Sequence, residues 1–348
     1  MKVLTLVFCI YLCRTSVADE HNTEGIPLEA QKLDGEPLVE YLRKSQNLFE
    51  VNSDPTPGFE YKLMDMEFND EGSNPVVNSN DEPGDEIPAE YDPRITWANC
   101  SSFSAIRDQA NCGSCWAVST AAAITDRICI ATKGKKQIEI SASDIMSCCT
   151  KCGNGCRGGW PIRAFEFFSN EGVVSGGNYA SKGCYPYALH PCGQHGNETF
   201  YGDCEVARAP TPMCQRKCQP GYRRQYRTDK RFGKLLSAYK LPRWVPAIQR
   251  EIMERGSVVA TFTTYSDFSR YKSGIYKHTA GRARGRHAVK VIGWGTENGT
   301  EFWHIANSWH DDWGEKGFFR ILRGVNHCGI EQNVSGGLVD ENSLHDDL

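Results

Sequence analysis

Sixteen cysteines stand in this 348-residue chain, and where they stand constrains the fold more than any other feature. Cys9 and Cys13 lie in an apolar run at the start, and the other fourteen fall between Cys100 and Cys328. The start reads as Lys2, then Val3 to Leu12, then Ser16-Val17-Ala18. A positive end, a short apolar centre and small residues at the finish describe a secretory signal peptide, residues 1–18, cleaved near Ala18. The run is too short for a membrane anchor, and no interior stretch approaches spanning length. In a secreted chain, fourteen cysteines imply disulfides, and parity permits seven bridges with no free thiol. A reactive cysteine must therefore be argued from its surroundings.

Charge divides the chain at the same place as the cysteines. Residues 19–86 carry 18 acidic and 4 basic side chains, whereas residues 87–348 carry 25 acidic and 33 basic. An acidic front joined to a basic body suggests an intramolecular partner, against the plainer reading of a solvated acidic linker. Within the front, Leu38, Tyr41, Leu42 and Leu48-Phe49 fit a short amphipathic helix. Residues 73–88, rich in Asn, Asp, Glu, Pro and Gly, read as an exposed, cleavable linker. The expected division is thus 19–86 and 87–348.

The body changes texture along its length. From Cys115 to about Ile130 a helix is expected, apolar on most of its surface and so buried. Residues 141–232 are cysteine-dense and loop-rich, with one helix expected at Pro161–Asn170. A helix at 245–255 follows, then strand-like runs at Val258–Phe262, Ala288–Trp294, Glu301–Asn307 and Gly317–Leu322. A disulfide-stapled helical half followed by a β-rich half is an α+β layout. The hydrophobic fraction of 40% suits a chain with a substantial core.

The densest chemical signal is Gln109-Ala110-Asn111-Cys112-Gly113-Ser114-Cys115-Trp116. A thiol at a helix N-terminus sits at the positive end of the peptide dipoles, which favours thiolate. Gln109 could return its amide to the same spot and donate to a developing oxyanion. Such a nucleophile needs a base, and the base an orienting group. His287 opens the apolar run Ala288 to Gly295, and Ala306-Asn307-Ser308-Trp309 ends the next strand. Adjacent strands would place His287 beside Asn307, with Trp309 covering the contact.

Cys112-Gly-Ser-Cys-Trp116, the His287 strand and Asn307-Ser-Trp309 together resemble the papain-like cysteine proteases. The separation of Cys115 and His287, 172 residues, exceeds the family's usual span of about 130–150 and points to an insertion. Cys148-Cys149, Cys152, Cys156-Arg-Gly-Gly-Trp-Pro161, Cys184-Tyr-Pro-Tyr187, Cys192 to Cys204 and His327-Cys-Gly-Ile-Glu331 are similar to the cathepsin B branch, over about Ile87 to Leu338.

The resemblance implies a papain-like two-domain fold, helical then β-barrel-like, with the catalytic cleft between. It further implies an occluding loop at about 192–204 and an inhibitory propeptide over 19–86. The implied bridges are Cys100–Cys129, Cys112–Cys156, Cys148–Cys214, Cys149–Cys152, Cys184–Cys218 and Cys192–Cys204, leaving Cys115 and Cys328 free. A metal reading of Cys148, Cys149, Cys152 and Cys156 competes only formally, and neither metal nor cofactor is implied. Acyl transfer is expected, with Cys115 as nucleophile, His287 as base, Asn307 orienting it and Gln109 at the oxyanion. Substrate binding is implied for Gly158, Gly159, Pro161, His195, Ala260, Ala288, Trp309 and Asn333.

Two departures from the branch matter. Of the two adjacent loop histidines that bind a substrate carboxylate, only His195 remains, after Gln194. The loop's two ion pairs keep their acids, Asp108 and Asp312, but their partner positions read Gln194 and Thr199-Phe200. Endopeptidase character with weakened dipeptide release is therefore expected. Asn333 replaces a glutamate that accepts arginine at P2, so apolar P2 groups are favoured. The stretch Phe302 to Glu315 resembles one from proteases of blood-feeding parasites, so haemoglobin or dietary protein is a conceivable substrate. Of four sequons, Asn197 and Asn298 suit glycans better than Asn99 and Asn333. The basic run Arg216 to Lys234 reads as a solvated face rather than a nucleic-acid surface. Expected partners are protein and peptide substrates, the chain's own propeptide and cystatin-type inhibitors, for a monomer in the secretory pathway, secreted or lysosomal. The rival reading is a non-catalytic papain-fold protein binding matrix or receptors.

Overall fold

The computed structural model describes residues 25–68 and 86–344; the signal reading and most of the linker reading fall outside the described residues. Its eight strands are β1 (Phe49–Val51), β2 (Gly233–Lys240), β3 (Val258–Tyr265), β4 (Tyr271–Tyr276), β5 (Ala283–Glu297), β6 (Thr300–Ala306), β7 (Phe318–Leu322) and β8 (Asn333–Val339). They form one sheet in the order β1-β4-β7-β6-β5-β3-β8-β2, antiparallel throughout except between β4 and β7.

Asp34 caps helix α1 (Gly35–Ser45) by accepting from the Gly35 N–H, and Leu38, Val39 and Leu42 bury its apolar stripe. The sequence extended this helix to Phe49, but Phe49 lies in β1 on the edge of β4, its ring 5.6 Å from that of Tyr276. The unpaired backbone edge of β4 and its aromatic face outweigh local helical spacing, which cannot register a partner more than 200 residues away. Residues 25–68 therefore join the body's sheet and its core: Leu38, Leu42 and Phe49 share a cluster with Phe262, Phe268 and Trp309.

Helix α2 (Cys115–Ala131) is buried on all sides, as its continuous apolar surface requires. Its two buried charges are paired, Asp126 with Lys290 at 2.9 Å and Arg127 with Glu251 at 2.9 Å. Left unpaired, either would cost several kcal/mol. Around α2 pack α3 (Ala142–Cys148), α4 (Pro161–Asn170) and α5 (Val245–Arg255). The sequence reading missed α3, whose signal was Ser141 accepting from the Asp144 N–H at 3.0 Å.

Among the described residues, six disulfides join Cys100–Cys129, Cys112–Cys156, Cys148–Cys214, Cys149–Cys152, Cys184–Cys218 and Cys192–Cys204. Cys115 and Cys328 are buried and outside these bridges. The helical core and the β core meet where the Ser119 hydroxyl on α2 donates to the Ala288 carbonyl on β5 at 2.9 Å.

Candidate active site

Two backbone features put Cys115 and His287 at this junction. Cys115 is the first residue of α2, so its thiol stands at the helix tip. His287 lies inside β5, four residues beyond the strand's start, rather than opening the strand. The sequence reading began this strand at His287, whereas it starts at Ala283, where the Arg284 side chain and the Arg286 backbone meet the N-terminal segment. Arg284 pairs with Glu60 at 2.5 Å, and Arg286 and Met64 exchange backbone hydrogen bonds at 2.8 and 3.0 Å. The Ala288 N–H, one residue past His287, donates to the Cys115 sulfur at 3.3 Å.

β6 ends beside β5, which brings Asn307 to His287. The Nε2–Oδ1 separation is 2.7 Å, and Oδ1 also accepts from the Ser308 N–H at 2.8 Å. That oxygen, already an acceptor, draws the imidazole proton to Nε2 and leaves Nδ1 as the basic nitrogen. Trp309 stacks on His287 with centroids 4.6 Å apart and keeps water from the contact. Gln109 is aimed by Ser308, whose hydroxyl donates to Oε1 at 2.6 Å, while the Gln109 N–H donates to the Ser308 carbonyl at 2.9 Å. Ser308 was not singled out from the sequence, although it stands between two residues that were.

The N-terminal segment closes this arrangement. The Gln109 amide donates to the Lys62 carbonyl at 2.7 Å, so a carbonyl of the segment occupies the amide. Leu63, Met64 and Phe68 follow, each buried, and Asp65 is held by Arg157 and Arg208 at 2.8 Å each. A Cβ on Gly113 would lie 2.6 Å from the Leu63 carbonyl, and one on Gly158 2.3 Å from the Phe68 ring. Backbone without side chains is what lets the segment lie so near. Burial beneath it pushes the Cys115 thiol up to about 12 and His287 down to about 4. The helix tip alone suggests an ionised sulfur; in the closed chain desolvation outweighs the dipole, and both groups are held neutral.

The remaining expected residues fall around this cleft. Gly159 backs onto the Trp116 indole, and Ala260 and Ala288 are buried on β3 and β5. Asn333 lines a cavity of about 20 Å³ with Pro161, Thr261 and Lys240. A larger cavity of about 510 Å³ lies between residues 52–57 of the segment, Cys192 to His195, and Trp309. Asn197 and Asn298 are exposed.

The loop anchors differ from expectation. Asp108 and Asp312 do not stand without partners: His195 is 2.9 Å from Asp312 and 3.7 Å from Asp108. His310, which drew no attention in the sequence, stacks on His195 with centroids 3.9 Å apart. An alignment position cannot anticipate that a neighbouring side chain swings into a vacated site.

Residues 87–338 match the family of papain family cysteine proteases. The chain is 62% identical over 346 residues to a cathepsin B-like cysteine proteinase of Haemonchus contortus, covering 99% of this chain and all of the relative. It is 45% identical over 311 residues to a gut-specific cysteine proteinase of Caenorhabditis elegans, covering 88% and 91%. Its fold is similar to procathepsin B S9 of Trypanosoma congolense, with a TM-score of 0.74 at 33% identity over 88% of this chain and 98% of that one. The chain belongs to the papain family of cysteine proteases, and within it to the cathepsin B-like members.

Proposed function

We propose that Cys115 is the nucleophile of a peptide-bond hydrolase held as a zymogen by residues 19–86, and that its mature form, 87–348, is chiefly an endopeptidase. Once the segment leaves, Cys115 and His287 regain water, and the helix tip and imidazole favour the ion pair. The thiolate attacks the peptide carbonyl, whose oxygen takes the place of the Lys62 carbonyl at the Gln109 amide. The Cys115 N–H supplies a second donor. His287 then protonates the leaving amine, and water, deprotonated by the same imidazole, cleaves the thioester. Passage through the secretory pathway to a secreted or lysosomal site, with glycans at Asn197 and Asn298, accords with the signal-like start. Digestion of dietary protein accords with the gut-specific name of one relative.

The observation that carries the endopeptidase reading is His195. Its Nδ1 is committed to Asp312 and its Nε2 donates to the Cys192 carbonyl at 3.0 Å, so neither nitrogen faces a substrate carboxylate. The test compares kcat/KM for one internally quenched peptide with its C-terminus free and amidated. Equal or better turnover of the amide is expected. A tenfold or greater preference for the free carboxylate would reverse the reading.

A further inference from the structure

The histidine pair beside the cleft has a geometry that a hydrogen-bonded latch does not need. His195 lies in the loop closed by Cys192–Cys204, whereas His310 and Asp312 lie in the body just past Trp309. His195 Nδ1 is 2.9 and 3.1 Å from the two Asp312 oxygens, and His310 Nδ1 is 3.1 Å from Asp312 Oδ1. Each ring is also engaged on its far nitrogen. His195 Nε2 donates to the Cys192 carbonyl at 3.0 Å, and His310 Nε2 faces Glu198 at 3.3 Å. A neutral imidazole has one N–H. Although burial opposes it, Glu198, Asp312, Asp108 and Asp311 hold the His310 pKa above its usual value, so the carboxylates around the pair favour positive charge. With the ring protons kept at Nε2, a divalent ion at the two Nδ1 atoms supplies that charge in place of protons.

Histidines that bind metals are held in this way, one nitrogen on the ion and the other donating to a carbonyl or carboxylate. Zinc bonds of about 2.0–2.1 Å in a tetrahedron put ligand atoms about 3.3 Å apart, close to the separations found here. Asp311 Oδ1, 3.0 Å from His310 Nδ1, is within reach as a fourth donor. His310 has φ +73°, a left-handed conformation that few side chains adopt, and its ring stacks on the loop's His195. The two rings now lie 20° from parallel, so a shared ion requires them to splay by rotation about their Cβ–Cγ bonds. Lys62 is the nearby segment cation acting on Asp108 and Asp312, and its ammonium is directed to the Ala110 carbonyl at 3.2 Å.

We propose that His195, His310 and Asp312 form a divalent transition-metal site of the zinc type that fastens the 192–204 loop to the body.

The test uses the untagged full-length chain carrying Cys115→Ala, which removes the reactive thiol as a competing ligand. Zn²⁺ is titrated calorimetrically, and Co²⁺ is used for its tetrahedral absorption bands. One ion per chain is expected, with His310→Asn and His195→Gln each weakening it tenfold or more. Asparagine suits the positive φ at 310, and His190→Gln, outside the cluster, serves as the control expected to leave binding unchanged. Retained thermal unfolding of the variants separates loss of the site from loss of the fold. Parent binding weaker than about 1 mM, undiminished binding in His310→Asn, or Co²⁺ spectra without tetrahedral bands overturns the proposal.

Discussion

The Gln109 side-chain amide donates to the Lys62 carbonyl oxygen at 2.7 Å. In the proposed mechanism one donor serves both states of the chain, holding the segment's own backbone before activation and a substrate oxyanion afterwards. Gln109→Ala in the mature enzyme should lower kcat by about 10²–10³ with little change in KM, as loss of one oxyanion donor does. Steady-state kinetics on a peptide substrate check this, and an unchanged kcat would remove Gln109 from the mechanism.

Ser308 acts through Gln109 rather than on the substrate. Its hydroxyl fixes which end of the amide faces the cleft, at 2.6 Å. Ser308→Ala should cost about 1 kcal/mol, roughly a fivefold fall in kcat with KM preserved. Ser308→Thr, which keeps the hydroxyl, should recover part of it.

Acid should loosen the closed form through His287 before it does so through the segment's carboxylates. Burial holds His287 at about 4 against 6.5 when exposed, so the opened chain takes up this proton at a higher pH than the closed one. The stabilisation of closure by this group is present above pH 6.5 and is lost as pH falls from 6.5 toward 4, up to about 3 kcal/mol. Although burial opposes it, Arg208 and Arg157 hold the Asp65 carboxyl below its usual 3.8, so its contribution persists until pH falls below that value. Hydrogen exchange of residues 59–68 in the full-length Cys115→Ala chain should rise between pH 6.5 and 4.5. Equal protection at pH 7 and 4.5, at matched ionic strength, refutes this account.

Opening the loop should shift the balance of cleavage. Cys192→Ser with Cys204→Ser removes the closure of residues 192–204, leaving His195 and its carboxylates to hold the loop. Exposed ion pairs contribute only about 0–1 kcal/mol each. Turnover of amidated peptides should rise severalfold and dipeptide release should fall, as measured by mass spectrometry of timed digests.

The P2 preference expected from Asn333 should be reversible by charge. Asn333 and Lys240 line the same small cavity beside Pro161. Asn333→Glu should raise the kcat/KM ratio of P2 arginine over P2 phenylalanine about tenfold, equivalent to about 1.4 kcal/mol. A substrate library in which wild type already prefers arginine would end this assignment.

Local sequence was enough for Cys115 at a helix start, for the limits of α4 and α5 and for the succession of β3, β5, β6 and β7. Each is set by short-range features: a run of buried residues, a proline at the first helical turn, an alternating or continuous apolar strand. It was equally enough for the neighbourhood of His287 and Asn307, because adjacent antiparallel strands leave little freedom in register.

Tertiary contact decided the rest. Phe49 is a strand residue because β4 offers an edge, and Arg284 and Arg286 extend β5 because Met64 and Glu60 meet them. His195 turned to Asp312 beside an unforeseen His310, and the Cys115 thiol is neutral because the segment buries it. Propensity and motif record what a residue can do beside its chain neighbours. Desolvation and long-range pairing depend on which distant groups exclude water from it, and those are fixed only when the whole chain has closed.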